Sequence, residues 1–190
     1  AEYRDAAESA HLTLVEAAAE GDDTLLEKYL ENGELSDTEI MRGLKNIIKS
    51  RDYVPVMVCA GEKEIGIKPI LDTIVELLPS PLEIENIQVE GKSGTEDLHA
   101  DDSGPLAAYV WKTTADPFVG KQTFFRIYSG MITSDSRVWN SSKQNEERLG
   151  SVQISRGKEN ITIKTIHSGD IGSVPKLSET ATGNTLCDKA

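Results

Sequence analysis

Residues 116–130 read Asp-Pro-Phe-Val-Gly-Lys-Gln-Thr-Phe-Phe-Arg-Ile-Tyr-Ser-Gly. The pairs Asp116-Pro117 and Ser129-Gly130 are turn signals. Between them Thr123–Ser129 is rich in aromatic and β-branched residues, which predicts a strand. Period two continues on both sides of it. Leu106–Lys112, Arg137–Asn140, Arg148–Ile154, Ile161–Ile166 and Asp170–Val174 are further strand candidates, and Ile161 and Ile163 alternate with Thr162 and Lys164. Arg156-Gly157, Ser168-Gly169 and Thr182-Gly183 supply turns between them. Many short strands at near-regular spacing in one stretch predict a small antiparallel barrel over 105–190.

Upstream the period is helical. Ala7, Ala10, Leu14 and Ala17 recur at helical spacing over 5–20, and Gly21 ends that helix. Asp22 and Asp23 cap a second helix carrying Leu25, Leu26, Tyr29 and Leu30, which Asn32-Gly33 stops. Ser36-Asp-Thr-Glu39 is a capping box opening a third, with Ile40, Leu44, Ile47 and Ile48 on one face. Val54–Ala60 is a short apolar run that predicts a buried strand. Ile67, Ile70, Leu71, Ile74, Val75 and Leu78 predict a fourth helix, with Pro69 in its first turn and Pro79-Ser-Pro81 at its end. A buried strand followed by a loop and a helix is half of a βαβ unit, the tail of an α/β sheet whose other strands lie elsewhere. The fold class is thus α+β in two units, 1–81 and 105–190, with 82–104 a linker or mobile hairpin.

The charge divides along the same line. The 190 residues carry a formal net charge of −12. Residues 1–104 hold 9 Lys+Arg against 24 Asp+Glu, net −15, and residues 105–190 hold 11 against 8, net +3. A whole-surface nucleic-acid binder is excluded, but a local basic face is not. No stretch approaches the roughly 18 apolar residues of a membrane span, and AEYRDAAESA has no signal-peptide pattern. Two distant cysteines, Cys59 and Cys187, predict structural thiols in a reducing, cytoplasmic setting. The first methionine is Met41, so the chain reads as a piece of a longer one.

No phosphate loop, dinucleotide fingerprint, zinc pattern or nucleophile elbow occurs. His11, His99 and His167 have no partner at an informative spacing. His99-Ala-Asp-Asp reads as a solvated loop rather than a metal site. The residues predict no catalytic group and no metal site.

Three blocks of the N-terminal half, Glu16–Leu30, Pro55–Cys59 with Ile67–Asp72, and Leu78–Pro81, resemble the middle of bacterial elongation factor G. So do Asp116–Gly130 and the closing Thr182–Asp188, colinearly over nearly the whole chain. The resemblance implies that 1–81 is the helical end of a P-loop GTPase domain, including helices of its insert subdomain. It implies that 105–190 is the translation-factor barrel called domain II. The parent would bind GTP and magnesium and drive tRNA–mRNA translocation on the ribosome, while the phosphate loop, both switches and NKxD would lie upstream of this stretch. This portion would need no cofactor. It would contribute interdomain coupling and ribosome contact, with the remaining GTPase domain, the downstream domains and small-subunit RNA as partners, and no membrane.

A residual guanine-contacting loop would fall at Cys59, Ala60 and Gly61, where the family carries Ser-Ala and this chain carries Ala60-Gly61. Lys121, Arg126, Arg137, Arg148, Arg156 and Lys158 are the candidate RNA contacts, or else solubilising charges. Phe118, Phe124, Phe125, Trp111 and Trp139 would stack bases or fill the barrel. The alternatives are a non-GTPase β-barrel interaction module, and a ribosome-protection or release-factor-type GTPase portion.

Overall fold

The computed structural model describes residues 3–84, 86–91, 94–116 and 120–189. They form two compact units that divide after Ile84.

The first unit opens with three helices: α1 (Arg4–Ala19), α2 (Asp23–Asn32) and α3 (Asp37–Ser50). Their ends follow from the capping residues. The Asp22 carboxylate accepts from the Thr24 N–H at 2.8 Å, satisfying one of the free donors at the start of α2. Gly33 closes α2 in the left-handed region at φ 74°. At the start of α3 the Ser36 N–H donates to Glu39 at 2.9 Å. Lys28 and then Ser36 hold the Glu39 carboxyl down at about 2.

The buried stripe of α1 is not the predicted one. Ala7, Ala10 and Leu14 are exposed, and Val15, Ala18 and Ala19 are buried. Among the described residues nothing covers the N-terminal turns of α1, and its buried residues fall in its last turns. There Val15, Ala18 and Ile40 form a small core with Tyr29, Leu35 and Leu44 around it. The helices approach at glycine. A Cβ added to Gly43 would lie 2.0 Å from the Ala18 carbonyl oxygen, and one added to Gly21 would lie 2.2 Å from that of Gly43.

The strand predicted at 54–60 does not form. Residues 54–59 are in no helix or strand, and Ala60 makes only an isolated bridge to Ile65. Val54, Val56 and Val58 are 79%, 88% and 93% exposed. A strand exists only by pairing, and none of the described residues offers this run a ladder. The fourth helix, α4 (Ile67–Leu77), buries Leu77 while Leu71, Ile74 and Val75 stay exposed.

The second unit begins with an antiparallel hairpin, β1 (Ile87–Gly91) and β2 (Gly94–Leu98), within the stretch read as linker or mobile hairpin. Ten strands follow: β3 (Ala107–Asp116), β4 (Gly120–Ser129), β5 (Ile132–Thr133), β6 (Arg137–Asn140), β7 (Asn145–Arg148), β8 (Val152–Arg156), β9 (Glu159–Ile163), β10 (Thr165–Ile166), β11 (Ile171–Pro175) and β12 (Thr185–Cys187). Eight of them make one antiparallel sheet in the order β7-β6-β12-β3-β4-β11-β8-β9, and β5 pairs with β10. The inward residues form a single core that includes Val110, Phe125, Ile127, Ile132, Leu149, Val152, Ile166, Val174 and Leu186. This is the barrel-like architecture that period two predicts.

The run 148–154, read as one strand, is split. Leu149 turns into the core at 0% exposure, and its N–H donates to the Ser136 carbonyl rather than to a ladder partner. The short β5 and β12 were too brief for a period to register.

One carboxylate pins the long connection between β11 and β12. Glu147, on β7, is buried and accepts from the Ser178 hydroxyl at 3.1 Å and from the Glu179 and Thr180 N–H groups at 2.7 and 3.2 Å. The Thr180 hydroxyl donates to it as well. Burial alone would raise this carboxyl, but the hydrogen bonds outweigh it and hold the group below its ordinary value. Asn140 extends the cluster, donating to Thr180 Oγ1 at 2.9 Å and Asn184 Oδ1 at 3.1 Å.

Two outcomes follow for stability. Gly43→Ala should lower the melting temperature of the helical signal, although alanine is the better helix former by about 1 kcal/mol. The added methyl has to push α1 and α3 apart, which costs about 1–3 kcal/mol. An unchanged or raised melting temperature would contradict the close approach.

For the barrel, the Glu147 carboxyl sits lower in the folded state than in the unfolded one. Its contribution is therefore complete above the unfolded carboxylate range and is lost as pH falls through the folded value. Denaturant titration should show this acid-side loss, and Glu147→Gln should lose about 2 kcal/mol at neutral pH and show a shallower acid-side slope.

Candidate nucleic-acid interface

The sheet order disperses the six basic candidates over three places. Arg137 and Arg148 are register partners on β6 and β7. Arg137 also bonds Glu146 at 2.7 Å, with 71% of its own side chain exposed. Arg156 and Lys158 belong to the β8–β9 hairpin at the other end of the sheet order, where Arg156 pairs with Glu159 at 3.2 Å. Both of these ion pairs are exposed, so they contribute little to stability and leave the arginines free to exchange partners.

Lys121 and Arg126 lie on β4, in the middle of the order. Lys121 donates to the Ser178 carbonyl at 3.3 Å. Arg126 packs its guanidinium over the Tyr128 ring, 5.4 Å from the centroid. Among the described residues, Arg126, Arg148, Lys121 and Lys158 have no acidic side chain within ion-pair distance. The structure therefore assembles no single basic patch from the six.

The aromatic candidates separate by face. Phe125 is fully buried in the barrel core and is not available to a ligand. Trp111 and Phe124 meet on the outside, ring centroids 5.8 Å apart, with the Lys112 ammonium 6.0 and 5.8 Å from them. Trp139 lies under Lys189, 5.4 Å from its centroid. Phe118 falls outside the described residues.

In the first unit, the loop at Cys59, Ala60 and Gly61 closes on itself. The Ala60 N–H donates to the Ile65 carbonyl at 3.0 Å, and the Lys63 N–H returns to the Ala60 carbonyl at 3.0 Å. Cys59 is exposed.

One pairing was invisible to sequence spacing. His167 Nδ1 lies 2.7 Å from Asp102 Oδ2, and Asp102 Oδ1 accepts from the Ser168 N–H at 2.8 Å. The Ser168 N–H and then His167 hold the Asp102 carboxyl below its ordinary value. The contact ties the Asp101–Ser103 turn to the turn before β11, 65 residues away, so no local motif could announce it. Among the described residues no group of three or more His, Cys, Asp or Glu could hold a metal ion. No helix among them is long and apolar enough to cross a membrane.

Residues 105–189 match the family model described as elongation factor G domain 2. The barrel is an elongation factor G domain 2. The whole chain also superposes on a crystal structure from Thermus thermophilus with a TM-score of 0.73 and 28% sequence identity, covering 100% of this chain and 26% of that one. The chain thus spans about a quarter of the length of that protein. The superposition includes the helical unit as well as the barrel. In domain 2 the outer residues that sequence reading passed over are Tyr109, Lys112 and Tyr128. The signal for Tyr128 was present in the alternation of 124, 126 and 128 against 125 and 127, which puts one aromatic–cationic set outside and one apolar set inside.

Proposed function

We propose that this chain is the central portion of an elongation factor G, a ribosomal translocation GTPase, and that it performs no catalysis itself. The observation that carries the reading is the domain 2 barrel, preceded in the same chain by helices in the order of the resemblance. In this reading residues 1–81 belong to the end of a GTPase domain. The exposed Val54–Val58 run supports it, since an apolar segment with both faces bare suits a strand that a larger parallel sheet would cover. The barrel contacts small-subunit ribosomal RNA and couples the GTPase domain to the domains that follow. GTP and magnesium serve the parent through elements outside this stretch. The setting is cytoplasmic.

The chemistry of the barrel suits such a role. A net charge of +3 on 105–190, beside −15 on 1–104, gives a local attraction to phosphate in a chain that otherwise repels it. Dispersed cations suit a weak site that acts together with others on one large partner.

Two measurements test the reading. Calorimetric titration of GTP or GDP into the chain should give no binding, and micromolar binding with full stoichiometry would show that this chain holds a nucleotide site of its own. Filter binding of small-subunit ribosomal RNA should be measurable at low salt and vanish as salt rises, as counterion release requires. Arg148→Gln and Lys158→Gln should each flatten the log–log salt dependence by about one unit if that residue meets a phosphate. No binding at low salt would remove the RNA role.

A further inference from the structure

The outer face of β3, β4 and β11 carries a set of side chains that a solvated barrel wall does not require. Tyr109, Arg126 and Ile171 form one row across the three strands, since Arg126 is the register partner of both others. With Trp111 and Tyr128 they line a cleft of about 320 Å³. Tyr109 and Trp111 are 42% and 43% exposed and Ile171 54%. Four large apolar or aromatic side chains gathered around one arginine make an exposed patch of the kind that marks an interaction site.

The backbone is bent to make it. In the β3–β4 ladder Ala107 pairs with Ser129 but Ala108 with Ile127, so Tyr128 is an extra residue on β4. Val110 pairs with Phe125 but Lys112 with Phe124, so Trp111 is an extra residue on β3. Each strand thus bulges once, and the two extra residues are both aromatic walls of the cleft. A bulge interrupts the ladder and re-aims the side chain it carries.

The lining is charged at one point. Arg126 is its one cationic residue, and among the described residues no acidic side chain lies within ion-pair distance of its guanidinium. The lining includes no acidic residue, and Lys112 stands beside Trp111. The guanidinium is a donor, the flanks are π faces, and Lys112 adds a second positive charge. A flat π system with a hydrogen-bond acceptor, attached to an anion, meets all three requirements.

We propose that this cleft takes one unpaired nucleobase of single-stranded RNA, stacked against Trp111, with an acceptor of the base on Arg126 and the adjoining phosphate near Lys112. The proposal rests on the reading of the barrel as an RNA-contacting domain. A protein anchor residue would also find aromatic walls here, but the arginine, the neighbouring Lys112 and the absence of acid from the lining favour an anionic, acceptor-bearing ligand. Base stacking on an aromatic residue tolerates any sequence, so the site selects unpaired over paired RNA rather than one base over another.

The test uses the full chain carrying Trp139→Phe, which leaves Trp111 as the one tryptophan. Titration with a short single-stranded RNA at low salt should quench its fluorescence saturably. The same strand in a duplex, or inorganic polyphosphate, should quench it far less. Binding of labelled RNA should weaken about 10-fold in Trp111→Leu, with the circular dichroism and melting temperature of the barrel retained. Arg126→Lys keeps the charge but removes the planar guanidinium, and should weaken binding several-fold without changing its salt dependence.

If RNA binds but the tryptophan is not quenched, duplex binds as well as single strand and Trp111→Leu binds like the parent chain, the cleft is not a base site. In that case the RNA role of the barrel stands and the face is left to a protein contact. If no RNA binds at low salt, that role and this proposal fall together.

Discussion

Strand β4 has to serve two environments at once, and the pleat is what keeps them apart. Phe125 and Ile127 point into the barrel and are fully buried, while Phe124, Arg126 and Tyr128 point outward and are half-buried. A slip of one residue would place the Arg126 guanidinium in the core and two large apolar side chains in water. Both penalties are severe, so the barrel interior holds β4 in register. β4 is paired on both sides, with β3 and β11, and those neighbours inherit the same division. The position of every outer residue thus depends on the burial of Phe125 and Ile127.

The helical unit rests on less. Its one core cluster joins three buried residues and their partly buried neighbours, with Ala19, Leu25, Ile47 and Leu77 the other buried apolar residues, and its closest helix contact is made by glycine backbone rather than by side chains. Such a core is small for the number of residues it has to order. Most of the remaining apolar side chains of 53–84 lie on the surface. The acidity of this half favours solubility while that surface is bare, because like-charged copies repel at short range. High salt would weaken this protection, since screening shortens the repulsion and leaves the apolar contact untouched.

The parts of the fold that were legible in sequence are those where one local rule suffices. The caps at Asp22, Gly33 and Ser36 and the alternation along β4 gave the helix ends and the barrel wall. What the sequence did not reveal depends on a neighbour. Val54–Ala60 has the composition of a strand, but pairing is a property of two segments. The stripe of α1 was misplaced because Ala7 and Ala10 are as apolar as Ala18, and only the position of α3 decides which are covered. Of the candidate site, Trp111, Phe124 and Arg126 were named from their residue types. The row they form needed β3 and β11 beside β4, and the extra residues needed the ladder. The Asp102–His167 contact and the four donors on Glu147 are likewise meetings of distant segments, for which local spacing carries no information.

The two bulges of the β3–β4 hairpin also constrain how this barrel can change over evolutionary time. One lies on each strand, so the offset introduced at Tyr128 is undone at Trp111, and the ladder beyond Lys112 runs in the register it had at Ala107. Losing either extra residue alone would leave the offset uncorrected and turn one arm of the hairpin inside out. Losing both would keep the register and flatten the wall. In lineages that share this barrel, length changes at these two positions are therefore expected to arrive as a pair, one deletion compensating the other, although sixteen residues of the chain lie between the two sites.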